Sequence, residues 1–555
     1  MSVGNIPEGD TLDGRLAAHA AATPDRVALQ LPYARGFRAT TFGRLEARVD
    51  ALAAGLAHTG IEPGMRTALL VPPTEDFFAL AFALLRLRAV PVLVDPGIGR
   101  DKVKGCLAES APEAFVGVGK AQLARRLLGW APQARVVVTV GPGARATAPL
   151  SRGRSLPRVE DDGRWRRPFS AVEPGFPAAI LFTSGSTGAP KGVEHGPQQL
   201  LAQADLVARL YALGPADVSL STFPPFALFG PALGMTTVVP RMDPTRPASV
   251  VPSRVVEAAN RFGATVMFGS PALLDTVSRA GGAMPSLRRV ISAGAPVPRS
   301  VQRRTLAMLT GGAQLHTPYG ATEALPVASI GSDELLALPE DGICVGRPVP
   351  GVEVALVRVT DAPMAELTPE LCVPRGEVGE VLVRGPVVSP AYADRPAANA
   401  AAKVRWDGEV AHRMGDLASL DDAGRLWFAG RKAHVVHAAG GPLYSVPCEE
   451  VFNAHPAVRR SALVGVPTVS APGEPTEDAT GVPTSGAATP VLVVEPEPGR
   501  TGSPQLTAEL LALGAGDRRT RAIRRVLYHP SLPVDIRHNS KIDRAALADW
   551  ATRQP

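Results

Sequence analysis

The residues best suited to chemistry stand in one short run, Thr183-Ser184-Gly185-Ser186-Thr187-Gly188-Ala189-Pro190-Lys191. Gly185 and Gly188 can take positive φ and leave backbone N–H groups uncovered. Such groups, with the hydroxyls of Thr183, Ser184, Ser186 and Thr187, suit the wrapping of phosphate oxygens. Lys191 adds a point charge at the mouth of the loop. The spacing matches neither G-x-x-x-x-G-K-[ST] nor G-x-G-x-x-G, and it is not the G-x-S-x-G nucleophile elbow. Runs of Ser, Gly and Thr are more often flexible surface linkers. Here an apolar stretch, residues 178–182, reads as a buried strand delivering the loop, and the lysine closes it. The combination predicts a nucleotide-phosphate loop.

The elements that must position this loop alternate. Phe42, Leu45, Val49, Leu52 and Leu56 recur at spacings of three and four, the pattern of an amphipathic helix. Strand-like runs fall at residues 67–71, 90–94, 136–140, 264–268, 289–292 and 314–316, with helical windows at 198–213, 253–262 and 299–309. Alternation of this kind predicts an α/β fold with layered, largely parallel sheets. Ligands in such folds gather at the C-terminal ends of strands. The loop after residue 182, Ser292-Ala293-Gly294-Ala295 and Tyr319-Gly320-Ala321-Thr322-Glu323 all stand there, so one site built from three loops is expected. From about 342 to 430 the pattern turns β-rich, and a smaller unit follows. Within it residues 468–490 read as a disordered or mobile low-complexity insertion, and residues 141–167 as a similar but more basic loop.

At 555 residues the chain is too long for one core. Hydrophobic residues make up 45% and charged residues 20%, an ordinary globular balance. The net charge of +6 carries no aromatic interleaving or nucleic-acid motif, so no nucleic-acid partner is expected. The basic stretches at 152–167 and 518–525 read as solvated faces, with a membrane surface or acidic partner as the minority view. Cys106, Cys344, Cys372 and Cys448 lie far apart with no C-x-x-C, which argues for a reducing compartment and against a zinc site. The N-terminus lacks signal-peptide character, and residues 77–94, the most apolar, are interrupted by Arg86, Arg88 and Pro91. A cytoplasmic protein that is not transmembrane is expected.

Five motifs now stand in order: residues 183–191, Tyr319-Gly320-Ala321-Thr322-Glu323, Arg413-Met414-Gly415-Asp416, Gly430-Arg431 and His538-Asn539-Ser540-Lys541. In this order they resemble the adenylate-forming superfamily of acyl-CoA synthetases, luciferases and peptide-synthetase adenylation domains. The resemblance covers nearly the whole chain. It implies a large N-terminal domain over about 1–430, with a β-rich subdomain, and a small mobile α+β domain over 431–555. It implies ATP as cosubstrate and an acyl-adenylate as product. In the family's terms, residues 183–191 hold the β- and γ-phosphates, Ala293, Gly294 and Ala295 line adenine, and Tyr319 stacks on the base with Gly320 and Ala321 beside it. Thr322 binds the α-phosphate, Glu323 holds Mg²⁺, Asp416 takes the ribose hydroxyls and Arg431 reaches ribose and phosphate. Lys541 bridges the carboxylate and the α-phosphate, where a cation stabilises charge building on attack. Taken singly, Tyr319 reads as packing, Asp416 as a turn acid and Lys541 as a solvated charge; five motifs in register make those readings improbable together.

Two departures narrow the reading. Where many acyl-CoA synthetases carry a gating histidine, residues 223–230 place Ala227, and the usual hinge Asp or Lys is Ala433. Residues 226–235, 242–247, 317–329 and 533–541 are similar to the olefin β-lactone synthetases. That branch implies a long-chain 2-alkyl-3-hydroxyalkanoic acid whose β-hydroxyl attacks its own adenylate, gaining from proximity. An inactive nucleotide-binding scaffold and an acyl-CoA or acyl-AMP ligase are the competing readings. Phe226, Phe229, Gly230, Met235 and Phe268 are candidate acyl-pocket residues, with core packing about equally plausible for each. His195, His316 and His412 flank motifs, but a lone histidine is more often structural, and no base for ring closure is identifiable. Association with other enzymes of an olefin or β-lactone pathway is left open.

Overall fold

The computed structural model describes residues 10–164, 177–182, 189–340, 342–467, 488–534 and 542–554. Two sheets, each of seven described strands, form the bulk of the larger part. In the first, Gln314–His316, Arg289–Ile291, Val266–Phe268, Val218–Ser221, Thr236–Val238 and Val27–Tyr33 run parallel, and Gly36–Thr41 closes the edge antiparallel. In the second, Arg154–Ser155, Val136–Val140, Ala114–Val118, Arg66–Leu70, Val90–Leu93 and Ala179–Phe182 are parallel, with Gly192–His195 antiparallel at the edge. The expectation of largely parallel sheets holds.

The helix Glu75–Arg86 shows why the layers close. Every residue from Phe77 to Leu84 is buried, so the helix is apolar all round and must lie inside. Together with Phe42–His58 it joins Leu12, Leu16, Leu200 and Leu201 in one core between the sheets. Around that core Arg48 meets Glu75, Asp76 and Glu160, so the long polar side chains that emerge are paired.

The antiparallel sheet starts earlier than the sequence pattern suggests. Its first strands are Tyr319–Ala321 and Ala324–Ser329, followed by Ile343–Pro348, Leu426–Arg431, Glu409–Leu420, Gly379–Arg384 and Glu353–Val357 in spatial order. Tyr319 is thus a strand residue directly after the two-residue connection that leaves the first sheet, and this segment joins the two layers. Past residue 431, strands Val458–Pro467, Ala488–Pro496 and Arg525–Tyr528 carry helices Ser445–Asn453, Pro504–Ala515 and Arg544–Thr552.

Two expectations need correction. Residues 141–164 are not a plain loop: Ala144–Thr147 and Leu156–Gly163 are helical, and Arg154–Ser155 pairs with Val136–Val140. Buried Leu156 and Val159 anchor this segment, a signal hidden by the surrounding arginines. Residues 488–490, assigned to the insertion, begin a buried strand that pairs with Val458–Pro467; the rest of that insertion, 468–487, lies outside the described residues.

Candidate active site

The strand Ala179–Phe182 pairs with Val90–Leu93 on one side and with Gly192–His195 on the other, so residues 183–191 leave from its C-terminal end. Thr183, Ser184, Gly185, Ser186, Thr187 and Gly188 lie outside the described residues, as does Lys541. Lys191 is described, and its Nζ stands 4.9 Å from the centre of the Tyr392 ring.

Opposite this strand end sits a two-residue hairpin turn, Thr322-Glu323, between Tyr319–Ala321 and Ala324–Ser329. Gly320 is required on the hairpin, because a Cβ there would lie 2.5 Å from the Ala324 carbonyl oxygen. The turn is held from three directions. Buried His195 brings Nε2 to 3.0 Å from the Thr322 carbonyl oxygen, linking it to the strand that follows residues 183–191. The Ser389 N–H donates to the Glu323 carbonyl at 2.8 Å, and the Tyr392 hydroxyl donates to Glu323 Oε1 at 2.7 Å. Burial and the neighbouring carboxylate push the Tyr392 phenol far up, so it stays a donor.

Behind Tyr392, Lys403 Nζ donates to the Ser389 carbonyl at 2.7 Å and to its hydroxyl at 3.0 Å. Burial brings the Lys403 ammonium down to about 8, against the pull of Glu323. His412, fully enclosed near Lys403, Lys191 and Arg431, is held neutral by burial first and by those cations second. His195 is likewise lowered by burial.

Asp416 sits directly across the strand pair from Arg431. Arg431 Nε reaches Asp416 Oδ1 at 3.0 Å, and the Tyr319 hydroxyl donates to Oδ2 at 2.8 Å. Arg431 also donates to the Met414 carbonyl at 3.2 Å, which fixes its guanidinium along the strand. By contrast Arg413, in the same motif as Asp416, faces inward: it is 3% exposed and pairs with Glu380, 2% exposed, at 2.6 Å. Arg413 also donates to the Ala362 and Ala401 carbonyls, so the pair ties this strand to its neighbours at the edge of the cavity.

A cavity of about 1100 Å³ joins these parts. Its polar wall includes Ala293, Gly294, Gly320, Ala321, Thr322, Glu323 and Arg431. Gly294 has φ +97°, which favours glycine at the turn after Arg289–Ile291. Ala295 is half-buried beside it, and Tyr319 and Asp416, which do not themselves line the cavity, are tied to it through Arg431. The apolar end holds Phe223, Phe226, Phe229 and Phe268; Phe226 and Phe268 stack at 4.3 Å and 11°, and Phe229 meets Phe226 edge-on at 5.6 Å. From there Phe77, Ala81 and Leu85 continue the lining along one stripe of the 75–86 helix, about 12 Å at 1.5 Å per residue.

Gly230 and Met235 stand away from this lining. Met235 is buried with Tyr211, Val266 and Ile291, and a Cβ on Gly230 would meet Thr237 Oγ1 at 1.9 Å, so both belong to packing. Ala227 is buried in the short helix Pro224–Ala227 and offers the cavity no polar atom. Ala433 lines the cavity within the turn Lys432–His434. Ser389, Tyr392 and Lys403 were not visible in the sequence: they gather around Glu323 through tertiary hydrogen bonds, with no spacing among them to mark a site. No helix is long and apolar enough to cross a membrane, and no cluster of three His, Cys, Asp or Glu could hold a metal, among the described residues.

Residues 16–393 match the AMP-binding enzyme family. The chain is 45% identical to an olefin beta-lactone synthetase of Xanthomonas campestris pv. campestris, over 96% of this chain and 95% of that one. It is equally 45% identical to an olefin beta-lactone synthetase of Stenotrophomonas maltophilia, over 97% and 98%. The amide bond synthetase McbA from Marinactinospora thermotolerans shares the fold with a TM-score of 0.77 at 26% identity, covering 98% of this chain and 100% of that chain. With the motifs in register and the three-part polar wall in place, the chain belongs to the AMP-binding, adenylate-forming enzymes and is similar, over nearly its whole length, to their olefin β-lactone synthetases.

Proposed function

We infer that this protein is a cytoplasmic olefin β-lactone synthetase that uses ATP and Mg²⁺. The observation that carries the reading is identity of 45% running across both the nucleotide end and the acyl end of the chain. The substrate is a long-chain 2-alkyl-3-hydroxyalkanoic acid. Its carboxylate oxygen attacks the α-phosphorus of ATP, the bond to the β-phosphate breaks, and pyrophosphate leaves. The substrate's own β-hydroxyl oxygen then attacks the acyl carbon, the bond to AMP breaks, the hydroxyl proton is released, and the four-membered ring closes. Acid and ATP become β-lactone, AMP and pyrophosphate.

In this reading residues 183–191 hold the β- and γ-phosphates, Ala293, Gly294 and Ala295 flank adenine, and Tyr319, with Gly320 and Ala321, packs against the base. Asp416 accepts the ribose hydroxyls, its orientation fixed by Tyr319 and Arg431. Thr322 addresses the α-phosphate, and Lys541 bridges carboxylate and phosphate in the first half-reaction. Domain 431–555 moves on domain 1–430 to bring it there.

Glu323 suits Mg²⁺. Tyr392 occupies only Oε1, so Oε2 has no hydrogen-bond donor among the described residues. A single carboxylate completed by substrate phosphates is the usual setting of this hard cation. When bound, Mg²⁺ neutralises phosphate charge. The buried Ala227 supports closure without an external thiol, since no gating imidazole stands at that position.

The test is a pair of acids differing only at the β-hydroxyl. Both should release pyrophosphate with ATP and Mg²⁺, but the deoxy acid should stall as acyl-adenylate after one turnover. Continuous turnover of the deoxy acid, or none with either, would contradict the reading.

A further inference from the structure

Between Glu113 and Glu160 the chain carries one lysine and seven arginines and no acidic residue. Within this span the helix Gly119–Leu128 has two faces of different use. Its inner face sends Ala121 and Ala124 to the cavity wall beside Val118 and Trp130. Its outer face carries Leu123, 58% exposed, and Leu127, 73% exposed, one turn apart. Leu150, 69% exposed, joins them, because Arg126 donates to its carbonyl oxygen and so ties the turn Pro149–Ser151 to the helix. These three are the most exposed large apolar side chains among the described residues.

The charges around them are not neutralised. Arg145 and Arg154 pair with Asp161 and Asp162, but Lys120, Arg126 and Arg152 are exposed with no carboxylate partner among the described residues. Leucines rimmed by unpaired cations match an anionic bilayer surface: the leucines enter the headgroup boundary and the cations meet the phosphates. An acidic protein would complement the cations but leaves three adjacent leucines without a stated use. The position also fits an apolar cargo, since exposed Lys120 lines the cavity as well, and the cavity therefore reaches the surface at the start of this helix.

We propose that the outer face of the 119–128 helix, with Leu150, docks the enzyme on anionic lipid membranes, and that long-chain substrate enters the cavity beside Lys120 from that surface. Docking stands on the surface alone; delivery rests on the long-chain reading given above.

The experiment is flotation of the full chain with phosphatidylcholine vesicles, with and without phosphatidylglycerol, for wild type, the Leu123→Ser/Leu127→Ser double variant and Arg152→Glu. Wild type should float with the mixed vesicles and not with phosphatidylcholine alone, and added salt should release it. The double variant should bind at least about tenfold more weakly, and Arg152→Glu should bind a few-fold more weakly. Turnover of acid presented in mixed vesicles should fall in the double variant, while turnover of detergent-dispersed acid stays at the wild-type rate, which also shows that the variant is folded. The proposal is overturned if wild type ignores both vesicles, binds them equally, or is matched by the double variant. It is equally lost if the two presentations lose turnover alike, or if the leucines instead drive concentration-dependent self-association. Absence of lactone from wild type in either presentation would sink the proposed function and leave the flotation result to judge docking.

Discussion

At the polar end of the cavity Asp416 has Arg431 on one oxygen and Tyr319 on the other, and Glu323 is held through its carbonyl and its carboxylate. At the apolar end Phe226 and Phe268 lie nearly parallel at 4.3 Å, and the helix stripe of Phe77, Ala81 and Leu85 continues the wall with no directional bond. The difference concerns what each end can tolerate. Removing one partner from a buried polar network strands the others, a discrete loss. Removing a ring from an apolar wall changes contact area by degrees. The polar end should therefore fail in steps and the acyl end should shift gradually.

The largest expected break is Lys541→Ala, which removes the cation proposed to meet the developing charge. Adenylation should fall by at least about 10²-fold while ATP binding persists; undiminished pyrophosphate release would show the assignment to be wrong. Next is Tyr392→Phe, which deletes the hydroxyl orienting Glu323. The Mg²⁺ concentration for half-maximal rate should rise about 10- to 100-fold, and an unchanged Mg²⁺ titration would reduce Tyr392 to packing. At the apolar end, Phe226→Ala should raise KM for the long-chain acid roughly three- to tenfold through lost contact and stacking, with KM for ATP unmoved. A matching change in both constants would mean that the two ends are not separable.

The smallest effect concerns Lys403. Burial holds it at about 8 against the ordinary 10.5. Across that window the unfolded chain binds more protons than the folded one, so this group makes stability rise as pH increases from 8 towards 10.5. Urea midpoints should rise less steeply over that range in Lys403→Met than in wild type. Parallel slopes would indicate that the ammonium titrates normally.

This contrast also explains what could be read from the chain. Asp416, Arg431 and Tyr319 stand on strands and Glu323 on the hairpin turn beside Tyr319, each inside a short motif, because such local geometry leaves a fixed spacing. Tyr392 and Ser389 hold the same Glu323, and Lys403 holds Ser389, but the three come together through tertiary contacts, so nothing in their order marks them. Phe226 and Phe268 were recoverable as apolar segments at strand ends, yet Met235, from one of the same segments, packs into the core. Apolar type alone does not say which face of a wall a side chain meets. The parallel sheets were legible from alternation, whereas the ordered 141–164 segment was masked by its arginines and the early start of the antiparallel sheet by the short strand at Tyr319.

The most direct measurement is the mass of the product formed from a long-chain 2-alkyl-3-hydroxy acid with ATP and Mg²⁺ in the absence of CoA. The account predicts the β-lactone, one water lighter than the acid, with AMP in equal amount. Unchanged acid without CoA, and thioester once CoA is added, would contradict it.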